Sequence, residues 1–322
     1  MIQRLSRLRK TQAMRDILTE TKLTPSQFIA PIFIRANITG KHAIGAMPGI
    51  FQLSLSCLKE EVRELIDLGI RAVILFGIPE TKDEQGSSSL TDDGIVQRAS
   101  RLLAEAFPEL LIIADVCFCQ YTSHGHCGVI KNGKLNHDAT LPLLVKQALS
   151  LAKAGVHWVA PSGMIDGMVA ALRTSLDANG FYNTAILSYA VKYQSQLYAP
   201  FREAAHGAPT FGNRACHQMN PANALEALRE AKADIQEGAD IIMVKPAGFY
   251  LDVILRVKEA NPEIPLCAYQ VGGEYALIKQ SASLANFDEV KLMYESLLAI
   301  KRAGADLIIS YFAKQFAASI HQ

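Results

Sequence analysis

The sequence predicts an α/β fold in which eight parallel strands close into a (β/α)8, or TIM, barrel behind an N-terminal arm. Eight short, β-branched apolar runs recur along the 322 residues, with amphipathic segments between them. Near-continuous apolar strands alternating with helices are typical of a parallel sheet covered on its faces. A doubly wound open sheet is the alternative, although no glycine-rich phosphate fingerprint follows the first run. The runs are residues 28–34, 72–78, 110–117, 157–162, 184–191, 240–246, 265–271 and 306–312.

Length and composition favour one catalytic domain. Half of the residues are hydrophobic and the formal net charge is +1, which disfavours a broad nucleic-acid surface. No apolar run approaches the roughly 18 residues of a membrane span. The basic N-terminal segment lacks the apolar core of a secretory signal. We therefore expect residues 1–27 to form an arm, residues 28–322 to form the barrel, and the protein to contact neither nucleic acid nor membrane.

Three of the six cysteines cluster near the end of the third run, and the other three are scattered. This spacing is not that of a disulfide framework, so we expect the reducing cytoplasm. Cys117, Cys119 and Cys127 form a C-x-C-x7-C pattern that suits zinc with an open fourth position. Two alternatives stay open at this point. His124 or His126 would close the site as a fourth ligand, or the thiols are buried and inert.

The segment "NPANALEALREAKADIQEG", residues 220–238, predicts an amphipathic helix. Asn220 or Asn223 would cap its start and Gly238 would end it. Its apolar face would carry Leu225, Leu228 and Ile235.

The connection before this helix, residues 192–220, is too long for an ordinary loop. Loops of more than about 15 residues in compact domains are usually functional. In a barrel it would lie over the C-terminal face, where catalysis takes place. We expect it to form an active-site lid. Its two arginines, Arg202 and Arg214, indicate an acidic substrate, because guanidinium groups bind carboxylates in a bidentate manner.

Reactive side chains fall at the C-terminal ends of several predicted strands. A barrel would bring these ends together around one site. The side chains in question are Asp115, Cys117, Cys119, Ser162, Tyr189, Lys192, Lys245, Gln270, Ser310 and Tyr311.

Lys245 and Lys192 end neighbouring predicted strands, so a barrel would place their amines close together. Two ammonium groups in a poorly solvated pocket disfavour each other's charge, which frees one amine to form a Schiff base with a carbonyl. Pairing with a buried acid is the alternative for Lys245. Asp115 shares a strand face with Cys117 and Cys119, and near two lysines it would stay ionised and transfer protons.

Several long motifs together resemble the porphobilinogen synthase, or 5-aminolevulinate dehydratase, family. The likeness extends from "RLRKTQAMRDILTET" through "AMPG" to "IKRAGADLIISYFA", nearly the whole chain. Its most specific parts are "DVCFCQYTSHGHCG", "SYAVKY", "YAPFRE", "MVKPAG" and "YQVGGEYA". The resemblance implies a barrel with an arm that organises homo-oligomers, commonly octamers. It also implies condensation of two 5-aminolevulinate molecules to porphobilinogen, with loss of two waters, in tetrapyrrole (haem) synthesis.

The resemblance also implies roles for individual residues. Lys245 would hold the first substrate as a Schiff base and Lys192 would lie near the second. The carboxylate of the second substrate would be bound by Arg202, Arg214 and Gln218, and that of the first by Tyr311. Ser162, at the end of the fourth predicted strand, is expected among the substrate-binding residues.

Two metal sites follow from the same resemblance. Cys117, Cys119 and Cys127 match the branch of the family that uses catalytic zinc, whose fourth position is exchangeable. Glu230 matches a carboxylate that ligates an allosteric magnesium in many bacterial members.

The sequence departs from the family pattern at three positions. Gly272 stands where a serine usually helps bind the first substrate's carboxylate, and Asn213 and His217 replace an aspartate and a tyrosine. Two alternatives therefore stand beside the synthase. One is a Schiff-base aldolase on the same barrel, and the other is a degenerate, non-catalytic zinc-binding assembly protein.

Overall fold

Eight parallel strands form a closed barrel in the computed structural model, which describes residues 2–284 and 286–320. The eighth strand pairs with the first, Phe28 opposite Ile308, so the sheet has no open edge there. The predicted (β/α)8 barrel is therefore confirmed, and the open-sheet alternative is wrong. The strands are Phe28–Arg35, Ala72–Ile78, Leu111–Val116, Trp158–Pro161, Ala185–Lys192, Ile241–Lys245, Leu266–Gln270 and Leu307–Ser310.

Helices cover the outside of the barrel, most of them with an apolar face against the strands. In the second of them, Leu58, Val62 and Leu65 recur at helical spacing and are all buried. The helices are α1 (Gln12–Ile17), α2 (Leu55–Asp67), α3 (Ile95–Ala106), α4 (His137–Lys153), α5 (Met168–Ala178), α6 (Ala199–Ala204), α7 (Glu226–Gln236), α8 (Leu251–Ala260), α9 (Gly272–Leu284), α10 (Glu289–Arg302) and α11 (Ala313–Ile320).

Four short strands stand outside the barrel proper. Lys41–Ala43 and Phe51–Leu53 form an antiparallel pair that continues the sheet beside the first barrel strand. Ile130–Lys131 and Lys134–Leu135 form a separate hairpin beyond the cysteine segment. No helix in the described part of the chain is both long enough and apolar enough to span a membrane.

The segment before the first barrel strand carries a 3-10 helix, Leu5–Arg9, and α1. Neither of these helices buries a residue, and Ile2, Leu5, Leu8 and Ile17 are all exposed. Met1, the first residue of the predicted arm, lies outside the described residues, as do His321 and Gln322 at the end of the predicted barrel domain.

The helix predicted over residues 220–238 begins later than expected. α7 starts at Glu226, so neither Asn220 nor Asn223 caps it. Asn220 instead closes a turn by accepting the backbone N–H of Ala222, and the carbonyl of Asn223 accepts the Tyr193 hydroxyl. Leu225 is accordingly exposed rather than part of the apolar face.

Candidate active site

Side chains from several strand ends and from the lid meet at the C-terminal mouth of the barrel. They enclose a cavity of about 20 Å³, room for about one water molecule. The third, fourth, fifth and sixth strands each contribute a polar group at or just beyond their ends, as the strand-end argument predicts. The lining residues are Phe76, Asp115, Cys119, Ser162, Lys192, Tyr198, Phe201, Arg202, Arg214 and Lys245.

Lys245 and Lys192 lie directly opposite each other in the register of the fifth and sixth strands. Lys192 Nζ donates to the carbonyl of Ser162 at 2.5 Å. Burial, and next the charge of Lys192, lower the pKa of Lys245 well below its usual value. The structure therefore places the two amines as the sequence predicts and favours an uncharged Lys245.

Aromatic rings surround the Lys245 amine. Of these, only Tyr189 was among the strand-end side chains that the sequence singled out. Its Nζ lies 3.9 Å from the ring centroid of Tyr269, 5.0 Å from Tyr189, 5.2 Å from Phe201 and 5.5 Å from Tyr198. Tyr198 and Phe201 stand in the motif "YAPFRE" of the lid, Tyr189 in "SYAVKY" and Tyr269 in "YQVGGEYA". The positions of these motifs were the available signals. These rings, the aromatic cage, bury the amine and shield it from bulk water.

Asp115 is buried beside the two lysines. Burial raises the pKa of its carboxyl to about 6, although the charges of Lys192 and Lys245 act in the opposite direction. Gln120 Nε2 approaches its Oδ2 at 3.5 Å. The carboxyl is thus placed to exchange protons with an amine or with a molecule held between the two lysines.

The three cysteines form a compact, buried group with the character of a metal site. Their sulfur atoms all lie within 4.8 Å of one another, and those of Cys117 and Cys119 are 3.6 Å apart. Hydrogen bonds from Cys117 and Cys119 lower the pKa of Cys127 well below its usual value. Three converging thiols, one favouring the thiolate, are a donor set that zinc accepts.

The two histidines of this segment are used elsewhere. His124 Nε2 faces the carbonyl of Glu84 at 3.1 Å, and His126 Nε2 faces that of Phe211 at 3.0 Å. His124 Nδ1 accepts the backbone N–H of His126. Because a carbonyl only accepts, each ring carries its proton on Nε2. The alternative in which a histidine closes the metal site is therefore not supported.

The lid brings one of its two arginines to rest on the cysteine segment. Arg214 is buried, and its Nη2 donates to the carbonyls of Gly125 and Gly207, each at 2.8 Å. Arg202 also lines the central cavity, and burial together with the charge of Arg214 lowers its pKa. Its Nε is buried without a partner in the described part of the chain, which leaves that donor free for an anion.

Three predicted substrate-binding residues do not line the central cavity. Gln218 is buried, and neither atom of its amide has a partner among the described residues. The hydroxyl of Tyr311 lies 3.1 Å from that of Tyr269, which places it next to the aromatic cage. Gly272 opens α9, and a β-carbon added there would lie 2.8 Å from Met47 Sδ.

The other two departures from the family pattern fall in the lid. Asn213 accepts the backbone N–H of Ala215 at 2.9 Å and so stabilises a turn. Burial lowers the pKa of His217 to about 3, with the charges of Lys192 and Arg214 acting in the same direction. The imidazole is therefore neutral and adds no charge to the lid.

Glu230 lies away from the lysines, on a second cavity of about 370 Å³ that Gln218 also lines. It is half-buried rather than fully exposed, and burial followed by the charge of Glu226 raises its pKa. The carboxylates around this cavity are Asp166, Glu226, Glu230, Asp234 and Glu237.

Known proteins are similar to this chain in sequence and in fold. The family described as Delta-aminolevulinic acid dehydratase matches residues 2–319. A Bacillus subtilis relative named delta-aminolevulinic acid dehydratase is 50% identical over 311 residues, 97% of this chain and 96% of the relative. The Toxoplasma gondii enzyme of that name, solved with its reaction product porphobilinogen, aligns with a TM-score of 0.96 and 41% identity over 99% of this chain and 92% of its own. An aldolase, QR15, aligns with a TM-score of 0.50 and 12% identity over 93% of this chain and 97% of its own, a likeness of fold alone.

Proposed function

Because the chain belongs to the delta-aminolevulinic acid dehydratase family, we propose that it condenses two molecules of 5-aminolevulinate to porphobilinogen with loss of two waters. It is a lyase of tetrapyrrole synthesis. The observation that carries the proposal is the pair of amines at the barrel mouth, Lys245 and Lys192, of which Lys245 lies within the aromatic cage.

Lys245 is the proposed nucleophile. A neutral amine attacks the ketone of the first substrate and forms an imine, and one water leaves. Burial and the neighbouring Lys192 charge keep the pKa of Lys245 low, so the reactive form is the resting form. The rings of Tyr189, Tyr198 and Tyr269 exclude bulk water, which would otherwise hydrolyse the imine.

Lys192 and Asp115 are the proposed partners of the second substrate and of proton transfer. Lys192 is held by the Ser162 carbonyl, which fixes its amine beside Lys245. Asp115 lines the same cavity, and its pKa of about 6 lets it accept and return protons near neutral pH.

We propose that residues of the lid bind the carboxylate of one substrate, and that Tyr311 binds the carboxylate of the other. We assign the second substrate's carboxylate to Arg202, Arg214 and Gln218. In each guanidinium group the Nε has no partner among the described residues, and neither has the Gln218 amide. We assign the first substrate's carboxylate to Tyr311, near Gly272. Ser162, which lines the central cavity, completes the proposed set of substrate-binding residues.

Cys117, Cys119 and Cys127 are the proposed zinc ligands. When bound there, zinc would act as a Lewis acid toward a substrate oxygen. The buried sulfur atoms, all within 4.8 Å of one another, support this assignment.

The remaining parts of the proposal concern regulation and assembly. We propose that Glu230 takes part in an allosteric magnesium site, supported by the carboxylates around it. We propose that residues 1–27 are an arm that joins copies into a homo-oligomer, an octamer, because this segment exposes apolar side chains. A cytoplasmic location fits six free cysteines.

The experiment that tests the function is direct. Purified protein with zinc should convert 5-aminolevulinate to porphobilinogen, and borohydride added with substrate should leave an adduct on Lys245. An aldolase would form an adduct without porphobilinogen and without needing zinc, whereas a degenerate barrel would form neither. Either result would contradict the proposal.

A further inference from the structure

Glu274 is a buried carboxylate for which the proposed reaction gives no role. It is only 6% exposed and is the third residue of α9. Its Oε2 accepts the backbone N–H of Val271 at 2.7 Å, the usual way in which a glutamate at this position caps a helix start. A cap alone would need only this bond.

Two further donors come from another part of the chain. The backbone N–H of Ala247 donates to Glu274 Oε2 at 3.3 Å, and that of Gly248 donates to Oε1. These residues follow Lys245 at the end of the sixth strand. One carboxylate therefore joins the segment after the nucleophilic lysine to the segment after the seventh strand, where α9 begins at Gly272.

The packing around this carboxylate leaves little slack. A β-carbon on Gly248 would lie 2.6 Å from Glu274 Oε1. One on Gly273 would lie 2.5 Å from the carbonyl oxygen of Leu197, which belongs to the lid. Because interiors are close-packed, we expect a shift of Glu274 to disturb both the lysine segment and the start of α9, where the neighbouring Gly273 packs against the lid.

The chemistry of the carboxylate fits this bracing role. Burial raises the pKa of Glu274 to about 7, while the three backbone N–H groups act in the opposite direction. Both carboxylate oxygens of Glu274 accept hydrogen bonds from backbone N–H groups, and neither has to donate one. The ionised carboxylate therefore satisfies all three hydrogen bonds. A glutamine would turn its NH₂ toward one of the backbone N–H groups, with two donors in opposition.

We propose that Glu274 is a positioning residue: it fixes the distance between the Lys245 amine and the start of α9, where the first substrate's carboxylate would bind. This inference rests on the proposed function, because it assumes that one substrate molecule spans those two points. Without the Glu274 hydrogen bonds, Lys245 would stay reactive, but the substrate would be poorly aligned with its amine.

The test compares Glu274→Gln with the wild type, both zinc-loaded and well below their unfolding temperatures. We expect the rate of borohydride-trapped adduct formation on Lys245 to fall about tenfold and the KM for 5-aminolevulinate to rise by a similar factor, as for a lost hydrogen bond to a charged group. Bound zinc should be unchanged. Glu289→Gln is the matched control, because Glu289, the first residue of α10, pairs with Lys279 of α9, and the variant should trap substrate at the wild-type rate.

A merely structural Glu274 gives a different outcome. Glu274→Gln would then unfold at a lower temperature but keep the wild-type trapping rate and KM, and this would overturn the inference. If the variant fails to fold, Gly248→Ala decides, because it keeps the carboxylate and pushes a methyl group against it. Wild-type trapping by Gly248→Ala would overturn the inference. A wild-type protein that traps nothing would overturn the proposed function itself, and this inference with it.

Discussion

At the scale of single residues, the surroundings of Lys245 are only partly predictable from its position at a strand end. Its position and its neighbour Lys192 follow from the order of strands, which depends on local apolar patterns. The aromatic cage does not follow, because Tyr198 and Phe201 come from the lid, and their approach depends on contacts between distant parts of the chain. The sequence thus predicts that the two amines lie together, but not the lid rings that help to bury Lys245, and burial is the main cause of its lowered pKa.

The first prediction concerns Lys245→Arg. Arginine keeps the positive charge but cannot form the imine, so we expect porphobilinogen formation to fall by more than about a thousandfold. Borohydride should leave no adduct at this position. Lys291→Arg is the control, because Lys291 lies on the surface of α10 with its side chain 85% exposed. Peptide mapping that places the wild-type adduct on another residue would contradict the assignment.

The second prediction concerns the glycine at the start of α9. In Gly272→Ser, the serine hydroxyl could donate a hydrogen bond to the first substrate's carboxylate. We expect the KM for 5-aminolevulinate to fall about tenfold, the effect of one hydrogen bond to a charged group. The new β-carbon requires Met47 to move, since it would lie 2.8 Å from its sulfur, and a thioether side chain adapts readily.

Gly272→Ala separates the hydroxyl from the added bulk. It carries the same β-carbon and should not lower the KM. If Gly272→Ser leaves the KM unaltered or raises it in a folded, zinc-loaded protein, the missing hydroxyl is not what weakens this site.

At the scale of elements, the charged face of α7 agrees with the sequence pattern, although the helix begins later than predicted. The carboxylates at Glu226, Glu230, Asp234 and Glu237 recur at helical spacing and line one cavity. Sequence periodicity predicts this face. It misses the helix start, because asparagine side chains form turns as readily as caps, and Asn220 here closes a turn with the backbone N–H of Ala222.

The third prediction follows from this face. Like charges around one cavity repel, and a divalent cation would relieve the repulsion. Glu230→Ala should therefore reduce both the magnesium activation of turnover and the magnesium-dependent change in oligomer distribution, measured by titration and light scattering. Glu259→Ala, on the exposed side of α8, should change neither. A magnesium titration and an assembly that are both unaltered in Glu230→Ala would make this residue an ordinary surface carboxylate.

At the scale of the whole molecule, barrel closure and the cysteine cluster are separate. The first and eighth strands close the sheet by backbone pairing, and a large apolar core fills the space between sheet and helices. The cysteines stand beyond the third strand and form their own small group. The closed sheet follows from eight apolar runs of local origin, whereas the contacts between the lid and the cysteine segment join residues far apart in sequence and were not predicted.

The fourth prediction uses this separation. A strong chelator that removes zinc should abolish turnover, yet leave far-UV circular dichroism unchanged and the unfolding temperature within a few degrees, because a barrel of this size needs no metal to fold. Returning zinc should restore activity. Full activity in zinc-free protein would contradict a catalytic metal, and unfolding on chelation would indicate a structural one.

The small volume at the barrel mouth, about 20 Å³, has a kinetic consequence. The space holds about one water, so the lid has to open for each of two substrates to enter. A first substrate held only by weak contacts would dissociate whenever the lid reopened for the second. If Lys245 forms the proposed imine, the covalent bond would keep the first substrate in place while the second enters. The imine would then serve to retain the substrate as well as to activate it.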